Sequence, residues 1–362
     1  MSKRGIKVID LFCGIGGLSY GFVQEDFNVV AGYDIDATCK FAYETNNHAA
    51  FNVKDITTIS IKEMLKYYGK SIKILIGCAP CQPFSSYSYK MKKKDEKKIN
   101  LLYTFLEITK QINPLVISME NVPQLEKFEN GKIFQDFYNG LISLGYFVHY
   151  EVVFCPDYGI PQKRRRLILL ASKLGPLKLI PRTHTKENYT TVADSIKDLP
   201  PIAAGETYEK DPLHKARELS KLNIERIKAS RPGGSWREWP ENLVLNCFKK
   251  DSGRSYGSVY GRMKWEEPSP TMTTQCTGLG NGRFGHPEQD RAISLREAAR
   301  LQTFPDSYLF SSIGDDYNPS IICRQIGNAV PPKLGQIIAK SIKEHLKEYN
   351  LWQKRRCYLK RP

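Results

Sequence analysis

Short apolar runs alternate with segments of helical periodicity from the N-terminus to about residue 170, and this alternation constrains the fold more than any other feature. A helix is predicted over 99–111, where apolar residues recur at helical spacing. Strands that alternate with helices form a parallel sheet covered on both faces. The pattern therefore predicts an α/β fold, with strands over 6–12, 27–34, 73–77, 115–120 and 166–170.

The sequence changes character at about residue 175. Proline, glycine, lysine and aromatic residues are interleaved there in short irregular stretches, which is typical of loops. The helical pattern returns at 294–301, and an amphipathic helix is predicted after Pro331 and Pro332. We therefore predict a second, loop-rich domain, and we find no internal repeat in the sequence.

The chain is strongly basic, with 54 Lys and Arg residues against 38 Asp and Glu and a formal net charge of +16 at pH 7. Nucleic acid is the natural partner of such a surface, because phosphates attract it without regard to sequence. The alternative is a basic composition that serves no specific partner.

Nine cysteines without regular spacing do not suit a disulfide framework in a chain of 362 residues, and they favour a reducing cytoplasm. No apolar run approaches the ~20 residues that span a bilayer, so no membrane partner is predicted. The N-terminal apolar run is short, contains Asp10 and enters a glycine turn, which is not the pattern of a signal peptide.

The first predicted strand enters closely spaced glycines, Gly14, Gly16 and Gly17, before a helical segment. Glycines at such a turn let a ligand approach the backbone and accept positive φ. Asp34 ends the next strand, where a carboxylate binds ribose hydroxyls in nucleotide-binding domains. The spacing is not GxGxxG and no P-loop lysine follows, which favours a nucleoside without phosphates, such as S-adenosylmethionine. Taken alone, the turn fits any Rossmann-like nucleotide-binding domain.

Two cysteines, Cys78 and Cys81, follow the third predicted strand with two residues between them. Half of a zinc site is one interpretation, but no second Cys or His pair appears at ligand spacing. A thioredoxin-like redox pair is another, although Pro83 blocks the helix that such a pair needs. The favoured interpretation is a nucleophilic cysteine at the carboxyl edge of a parallel sheet.

Glu120 closes the strand predicted over 115–120. Because the carboxyl ends of parallel strands meet at one edge of a sheet, Glu120 is expected on the same edge as Cys81. A thiol and a carboxylic acid together suit attack on a ring with protonation elsewhere on that ring. Taken in isolation, Glu120 is better interpreted as a carboxylate that begins a helix.

Six sequence blocks extend the pattern from residue 10 to the C-terminal helix. They are DLFxGxGG at 10–17, PCQPFS at 80–85, ENV at 120–122, QKRRR at 162–166, REAARLQxFP at 296–305 and QIGNAVPP at 325–332. In content and order, they resemble the motif series of bacterial DNA (cytosine-5) methyltransferases of the type II restriction-modification kind.

The resemblance implies a Rossmann-like, S-adenosylmethionine-dependent methyltransferase domain with a mixed, mostly parallel sheet, and a smaller loop-rich target-recognition domain. The first is expected over 1–175 and 318–362, the second over 176–290, with hinge helices over 291–317. The implied reaction is methylation of cytosine at C5, within a short specific sequence of duplex DNA, on a base flipped out of the stack.

The same resemblance implies three catalytic residues. Cys81 matches the residue whose thiolate adds to C6, Glu120 the one that engages N3, and Arg166 the one that holds the base carbonyl. A covalent bond between Cys81 and C6 is expected, followed by methyl transfer to C5, loss of the C5 proton and release of Cys81.

The resemblance also implies the contacts to S-adenosylmethionine. Phe12 is expected to stack on the adenine, Asp34 to bind the ribose and Asp55 to read the adenine amino group. Ile35 stands where related enzymes often carry an aromatic residue. The expected set is Phe12, Gly14, Gly16, Gly17, Asp34, Ile35, Asp55, Ile56, Pro80, Asn328 and Val330.

The lysine-rich segment 85–100 follows Cys81 and looks like the family's mobile loop that closes over DNA, although a solvated charge run is the ordinary alternative. Lysines there would contact phosphates and make binding depend on salt. The expected DNA contacts are Ser85, Lys90, Lys92, Lys93, Arg164, Arg165 and Thr273. Candidate base readers, or equally core residues of the second domain, are Arg254, Tyr256, Tyr260 and Arg262.

Three other functions are weighed against this one. A branch of the family methylates transfer RNA, but the peptide that this branch carries after its nucleophile is not found here. Intact Cys81, Glu120 and Arg166 disfavour a non-catalytic DNA-binding relative, and the glycine spacing disfavours a nicotinamide-dependent oxidoreductase. By analogy we expect a monomer without a metal, and a cognate restriction endonuclease acting on the same DNA site is the usual setting.

Overall fold

The structure is a computed structural model that describes residues 5–80, 96–312 and 317–352, without the side chains of 96–100, 252 and 254. The strands in these ranges are β1 (Ile6–Leu11), β2 (Asn28–Asp34), β3 (Ala50–Val53), β4 (Ile72–Cys78), β5 (Val116–Asn121), β6 (Phe147–Phe154), β7 (Arg165–Ser172), β8 (Thr207–Tyr208) and β9 (Asp211–Lys215). The α-helices are α1 (Gly17–Gln24), α2 (Lys40–Asn47), α3 (Ile61–Tyr68), α4 (Glu96–Ile112), α5 (Lys132–Ser143), α6 (Val192–Ile196), α7 (Lys221–Lys228), α8 (Asn246–Lys249), α9 (Asp251–Arg254), α10 (Leu295–Leu301), α11 (Pro319–Asn328) and α12 (Pro332–Glu348).

Seven strands form one mixed sheet in the order β3-β2-β1-β4-β5-β7-β6. The five strands β3, β2, β1, β4 and β5 are parallel to one another. Strand β7 runs antiparallel to both β5 and β6. The interior strand β5 is buried along its whole length, and its first part is apolar whereas Glu120 and Asn121 at its end are buried polar residues. The sheet confirms the predicted α/β fold.

Aromatic side chains of α4 and α5 fill the core on one face of the sheet. Phe105 and Phe137 meet edge to face with their ring centroids 5.7 Å apart, and Phe134 is fully buried beside them. This core packs against β4 and β5. It thereby supports the residues at the ends of these two strands.

Helices α1 and α12 pack together with their backbones in close approach. A Cβ atom on Gly21 would lie 2.2 Å from the backbone nitrogen of Gln336, and one on Gly335 would lie 2.7 Å from the carbonyl oxygen of Leu18. Glycine is therefore needed at both positions. The helix after Pro331 and Pro332 is confirmed, and it belongs to the same unit as β1.

The chain divides into two compact units. Of the described residues, the first unit takes those within Met1–Phe154, Arg165–Pro181 and Pro332–Pro362, and the second those within Cys155–Arg164 and Arg182–Pro331. These boundaries differ from the predicted ones, because 155–164, 318–331 and the predicted hinge helices all lie in the second unit. The predicted division of labour between catalysis and target recognition remains a prediction.

The second unit has its own small cores. Trp236, Trp239, Leu243 and Phe248 form one apolar cluster, in which the rings of Trp236 and Phe248 stack at 4.7 Å. Short elements and loops surround it, as the composition after residue 175 predicts. No helix in the described ranges has both the length and the apolar character to cross a membrane.

Candidate active site

The candidate site lies at the carboxyl edge of the sheet in the first unit. The strand order reverses at β1 and β4, since β2 and β3 lie to one side of this pair and β5 to the other. Ligands of open α/β sheets bind in the crevice at such a reversal. Leu11 at the end of β1 pairs with Gly77 of β4, so the glycine turn and the segment that leads to Cys81 leave the sheet side by side.

The glycine turn after β1 has the backbone conformation that its sequence requires. Phe12, Gly14 and Gly16 all have positive φ, of 58°, 49° and 90°. A Cβ on Gly16 would lie 2.2 Å from Nδ2 of the buried Asn47, whereas one on Gly14 would meet no atom within 4 Å. Gly14 therefore borders open space, where a ligand can approach the backbone. Gly17 is buried as the first residue of α1.

Asp34 ties the glycine turn to the end of β2. Its Oδ2 accepts a hydrogen bond from the backbone N–H of Gly14 at 2.8 Å, and its Oδ1 accepts one from the N–H of Asp36 at 2.9 Å. Burial raises the pKa of the Asp34 carboxyl, and the two hydrogen bonds act in the opposite direction. The turn and the carboxylate thus form one connected structure.

The other predicted cofactor residues of the first unit follow β2 and β3. Ile35 directly follows β2, and 69% of it is exposed, which is unusual for an isoleucine. Asp55 is exposed and accepts a hydrogen bond from the N–H of Thr57 at 2.9 Å, while Ile56 is buried beneath it. Because β3, β2 and β1 are neighbours, these residues share one edge with the glycine turn.

A buried carboxyl group, that of Asp10, lies behind the turn. Its Oδ2 accepts a hydrogen bond from the hydroxyl of Ser19 at 2.7 Å, and that hydroxyl lies 3.1 Å from the hydroxyl of Tyr43. Oδ1 has no hydrogen-bond partner among the described residues. Burial raises the pKa of Asp10 to about 7, so the group is protonated in part at neutral pH.

Glu120 is held between two side chains at the end of β5. The carboxylate is only 2% exposed, and Arg166 Nε lies 2.8 Å from its Oε1. This contact is an ion pair without hydrogen-bond alignment, because Oε1 has no hydrogen-bond partner among the described residues. The thiol of Cys78 donates a hydrogen bond to Oε2 at 2.7 Å. The structure thus brings Glu120 and Arg166 together, as the predicted roles require.

The predicted nucleophile Cys81 lies outside the described residues, as do Ser85, Lys90, Lys92 and Lys93. The chain can be followed up to Pro80, which is half-buried. The Asn121 side chain, next to Glu120, donates a hydrogen bond to the carbonyl oxygen of Ala79 at 3.2 Å. This bond fixes the backbone just before Cys81 against the end of β5.

The arginines of the 162–166 block have different surroundings. Arg165 is exposed, with its guanidinium 4.9 Å from the ring centroid of Phe154. Arg164 is buried and donates hydrogen bonds to the carbonyl oxygens of Met272 at 3.3 Å and Ala329 at 3.4 Å. Its burial runs counter to the predicted phosphate contact, whereas Arg165 is exposed and its predicted contact to DNA remains a prediction.

The remaining predicted site residues lie in the second unit. Thr273 is exposed, Asn328 ends α11 in an exposed position, and Val330 is buried. A Cβ on Gly327 would lie 2.1 Å from the carbonyl oxygen of Thr273, so α11 touches the backbone of this segment directly. Within the second unit, the predicted cofactor and DNA positions are therefore close neighbours.

The candidate base readers also differ from one another. Arg262 is buried, and its guanidinium donates to the carbonyl oxygens of Ile227, Ser230, His286 and Gln289 and pairs with Asp290. Arg262 is thus a core residue of the second unit. Tyr260 packs against Trp239, whereas 51% of Tyr256 is exposed. The side chain of Arg254 lies outside the described part of the chain.

Sequence reasoning gave Cys78 no function beyond the Cys-x-x-Cys spacing, yet its thiol contacts the predicted catalytic carboxylate. The sequence feature that could have indicated this contact is the position of Cys78 as the last residue of β4. Only the pairing of Cys78 with Glu120 across the two strands reveals the contact.

Comparison with known proteins shows similarity over almost the whole chain. The family model for "C-5 cytosine-specific DNA methylase" matches residues 6–344. The chain is 54% identical to the Type II methylase M.HgiDII of Herpetosiphon aurantiacus, over 94% of this chain and 95% of that one. It is 31% identical to the Type II methyltransferase M.Eco47II of Escherichia coli, over 97% and 82% of the two chains.

A solved structure supports the fold. A crystal structure of a putative DNA modification methyltransferase encoded within a prophage of Escherichia coli superimposes with a TM-score of 0.72. The match covers 96% of this chain and 99% of that one, at 23% sequence identity.

Proposed function

This chain belongs to the C-5 cytosine-specific DNA methylase family, and on that basis we propose the roles of its active-site residues. It is a DNA (cytosine-5) methyltransferase that uses S-adenosylmethionine as its methyl donor. We propose that Cys81, Glu120 and Arg166 act together on a cytosine flipped out of duplex DNA. This proposal depends on one observation: the carboxylate of Glu120 contacts both Arg166 and Cys78. It lies at the edge of the sheet where the segment that leads to Cys81 leaves β4.

The proposed reaction begins with Cys81. Its thiolate forms a bond to C6 of the ring, and the electron density released makes C5 nucleophilic. After C5 has been methylated it loses its proton, the bond between C6 and sulfur breaks, and the thiolate of Cys81 leaves. A thiol suits both steps because it is a strong nucleophile and a workable leaving group.

Glu120 stabilises the ring while its aromaticity is lost. Its carboxyl group is proposed to engage N3, where negative charge develops as sulfur adds to C6. Arg166 is proposed to hold the carbonyl oxygen of the base while its Nε stays beside Glu120. Because Arg166 is largely withdrawn from water, its positive charge acts on the base with little screening.

The residues of the first unit fit S-adenosylmethionine. Gly14 borders open space, Asp34 offers a carboxylate at the end of β2, and Ile35 exposes an apolar side chain at the same edge. When bound, the cofactor supplies an electrophilic methyl group. Phe12 and Ile35 are proposed to enclose the adenine, Asp34 to bind the ribose and Asp55 to select the amino group. Gly16, Gly17, Ile56 and Pro80 are proposed to complete the pocket, with Asn328 and Val330.

The DNA contacts and the cellular setting are also proposals. Arg165 and Thr273 are exposed, so their side chains are available to phosphates. From the sequence alone, Ser85, Lys90, Lys92 and Lys93 are proposed as further phosphate contacts. The second unit is proposed to recognise a short specific sequence. We propose that the enzyme acts as a monomer on DNA in a bacterial cytoplasm, with a cognate restriction endonuclease acting on the same site.

The function is tested by bisulfite sequencing of DNA from a host that lacks cytosine methylation. The host expresses the wild-type chain, the Cys81→Ala variant or, as a matched control, Cys247→Ala, which changes an exposed cysteine. Methylcytosine in one short context is expected with the wild type and Cys247→Ala and absent with Cys81→Ala. Folded, cofactor-binding protein without DNA methylation would direct the search to RNA, and activity of Cys81→Ala would remove Cys81 as the nucleophile.

A further inference from the structure

We propose that Cys78 is a positioning residue for catalysis, whose thiol orients the carboxylate of Glu120. The inference rests on the proposed role of Glu120. It assigns to the first cysteine of the Cys-x-x-Cys pair a function that is separate from the nucleophile.

The strand register places the two side chains together. Cys78 and Glu120 are paired residues of the parallel strands β4 and β5, so their side chains project from the same face of the sheet. The thiol sulfur lies 2.7 Å from Oε2. Because both strands are supported by the core beneath them, this separation is a property of the sheet and does not depend on a loop.

The thiol supplies the directional contact of the carboxylate. Oε1 faces Arg166 in an ion pair, but it lacks an aligned hydrogen-bond donor among the described residues. Attraction between two charges depends on their separation and not on the angle at the donor, whereas a hydrogen bond also weakens steeply with angle. The S–H group of Cys78 therefore sets the rotation of the Glu120 carboxylate about its last side-chain bond.

The hydrogen bond from Cys78 is important for the Glu120 carboxylate because that carboxylate is buried. Glu120 is 2% exposed, so water cannot readily replace a lost donor at Oε2. Without the thiol, the carboxylate loses its hydrogen bond at Oε2 and can rotate out of the position where it meets the base. Misplacement of a catalytic group lowers the rate of the chemical step more than it changes substrate binding.

The test compares Cys78→Ala, which removes the donor, with Cys78→Ser, which keeps an O–H donor of similar size. Initial rates of methyl transfer from radiolabelled S-adenosylmethionine to duplex DNA that contains the methylated sequence give kcat and the two KM values. We expect Cys78→Ala to lower kcat about tenfold and to leave both KM values within about twofold. Cys78→Ser is expected to recover kcat to within about threefold of the wild type.

Glu120→Gln separates the two ways in which the experiment can fail. If Glu120→Gln keeps wild-type kcat, the proposed role of Glu120 is wrong and the inference falls with it. If Glu120→Gln is severely impaired but Cys78→Ala has wild-type kcat, only the role of Cys78 is wrong. Equal losses in Cys78→Ala and Cys78→Ser, accompanied by a lower unfolding temperature, would show that Cys78 serves packing alone and would overturn the inference.

Discussion

Arg166 reaches Glu120 diagonally across two antiparallel strands, with its Nε 2.8 Å from the carboxylate. Glu120 pairs with Ile168, and Arg166 lies two residues before Ile168 on β7, so all three side chains project from one face of the sheet. The antiparallel β7 thus returns a guanidinium to the edge where the parallel strands end. A fully parallel sheet would have placed this end of β7 at the opposite edge.

Removing the guanidinium is expected to abolish most of the activity. Arg166→Ala leaves the carboxylate of Glu120 buried without its counter-charge and removes the proposed contact to the base. We expect kcat for methyl transfer to fall about 100-fold or more, with a smaller change in KM for DNA. Steady-state rates on duplex DNA measure both constants.

Arg165→Ala is the matched control for Arg166→Ala, since it removes the neighbouring exposed arginine. It is expected to keep kcat, to raise KM for DNA and to reduce the slope of log affinity against log salt by about one. Similar losses of kcat in the two variants would contradict the assignment of Arg166 to the base and Arg165 to phosphate.

The two glycines of the turn are expected to respond differently to alanine. Gly16→Ala places a Cβ 2.2 Å from the buried Asn47 side chain, so the free energy of unfolding should fall by about 2–3 kcal/mol. Gly14→Ala meets no neighbour and carries only the strain of positive φ, about 1 kcal/mol. Its methyl group projects into the proposed cofactor space, so it should weaken S-adenosylmethionine binding. Chemical denaturation and calorimetric titration measure the two effects, and the opposite ranking in stability would contradict the packing around Gly16.

Asp10 is expected to make the stability of the first unit depend on pH. In the folded protein burial raises the pKa of Asp10 to about 7, whereas the unfolded chain ionises near pH 4. The unfolded state therefore loses the proton first as pH rises. The free energy of unfolding should fall by up to about 4 kcal/mol from pH 4 to pH 7 and then level off.

Asp10→Asn isolates this effect, because the amide does not ionise. The difference in unfolding free energy between the wild type and Asp10→Asn should change over this pH interval and be constant above it. If the unfolding free energies of the wild type and of Asp10→Asn changed equally from pH 4 to pH 8, Asp10 would be ionised in the folded protein over this range.

Arg262 is expected to contribute to stability and not to sequence recognition. Arg262→Met removes donors to four backbone carbonyl oxygens and the ion pair with Asp290, which should cost about 3 kcal/mol or more. Tyr256→Ala, at an exposed position, should cost less than about 0.5 kcal/mol. Bisulfite sequencing should show the wild-type sequence context for Arg262→Met, at a lower yield. A relaxed context at wild-type stability would make Arg262 a base reader.

The strands that sequence reasoning predicted are those buried on both faces. Apolar runs identify β1, β2, β4, β5 and β7 to within about two residues at either end. The edge strands β3 and β6 were not predicted. β3 has four residues, and β6 is half-exposed and includes His149 and Glu151, so neither has a continuous apolar pattern.

The sequence blocks predicted which residues lie together at the site, but they did not predict contacts that are set by strand register. Glu120 and Arg166 come together as the blocks imply. The contact of Cys78 depends on which residue of β5 it faces, and that is set by the pairing of whole strands. Arg164 and Arg262 are buried because carbonyl groups of distant segments accept their hydrogen bonds. A local sequence pattern does not predict contacts between segments that are so far apart in the chain.

The packing of α1 on α12 has a consequence for how a cell makes this enzyme. The ribosome synthesises α1 before, and α12 after, every residue of the second unit. The second unit can therefore mature while translation continues, whereas the first must wait for a helix that has not yet been synthesised. The face of α1 that packs on α12 therefore stays uncovered in the nascent chain until α12 has been synthesised, and a chain interrupted before α12 lacks the helix that covers it.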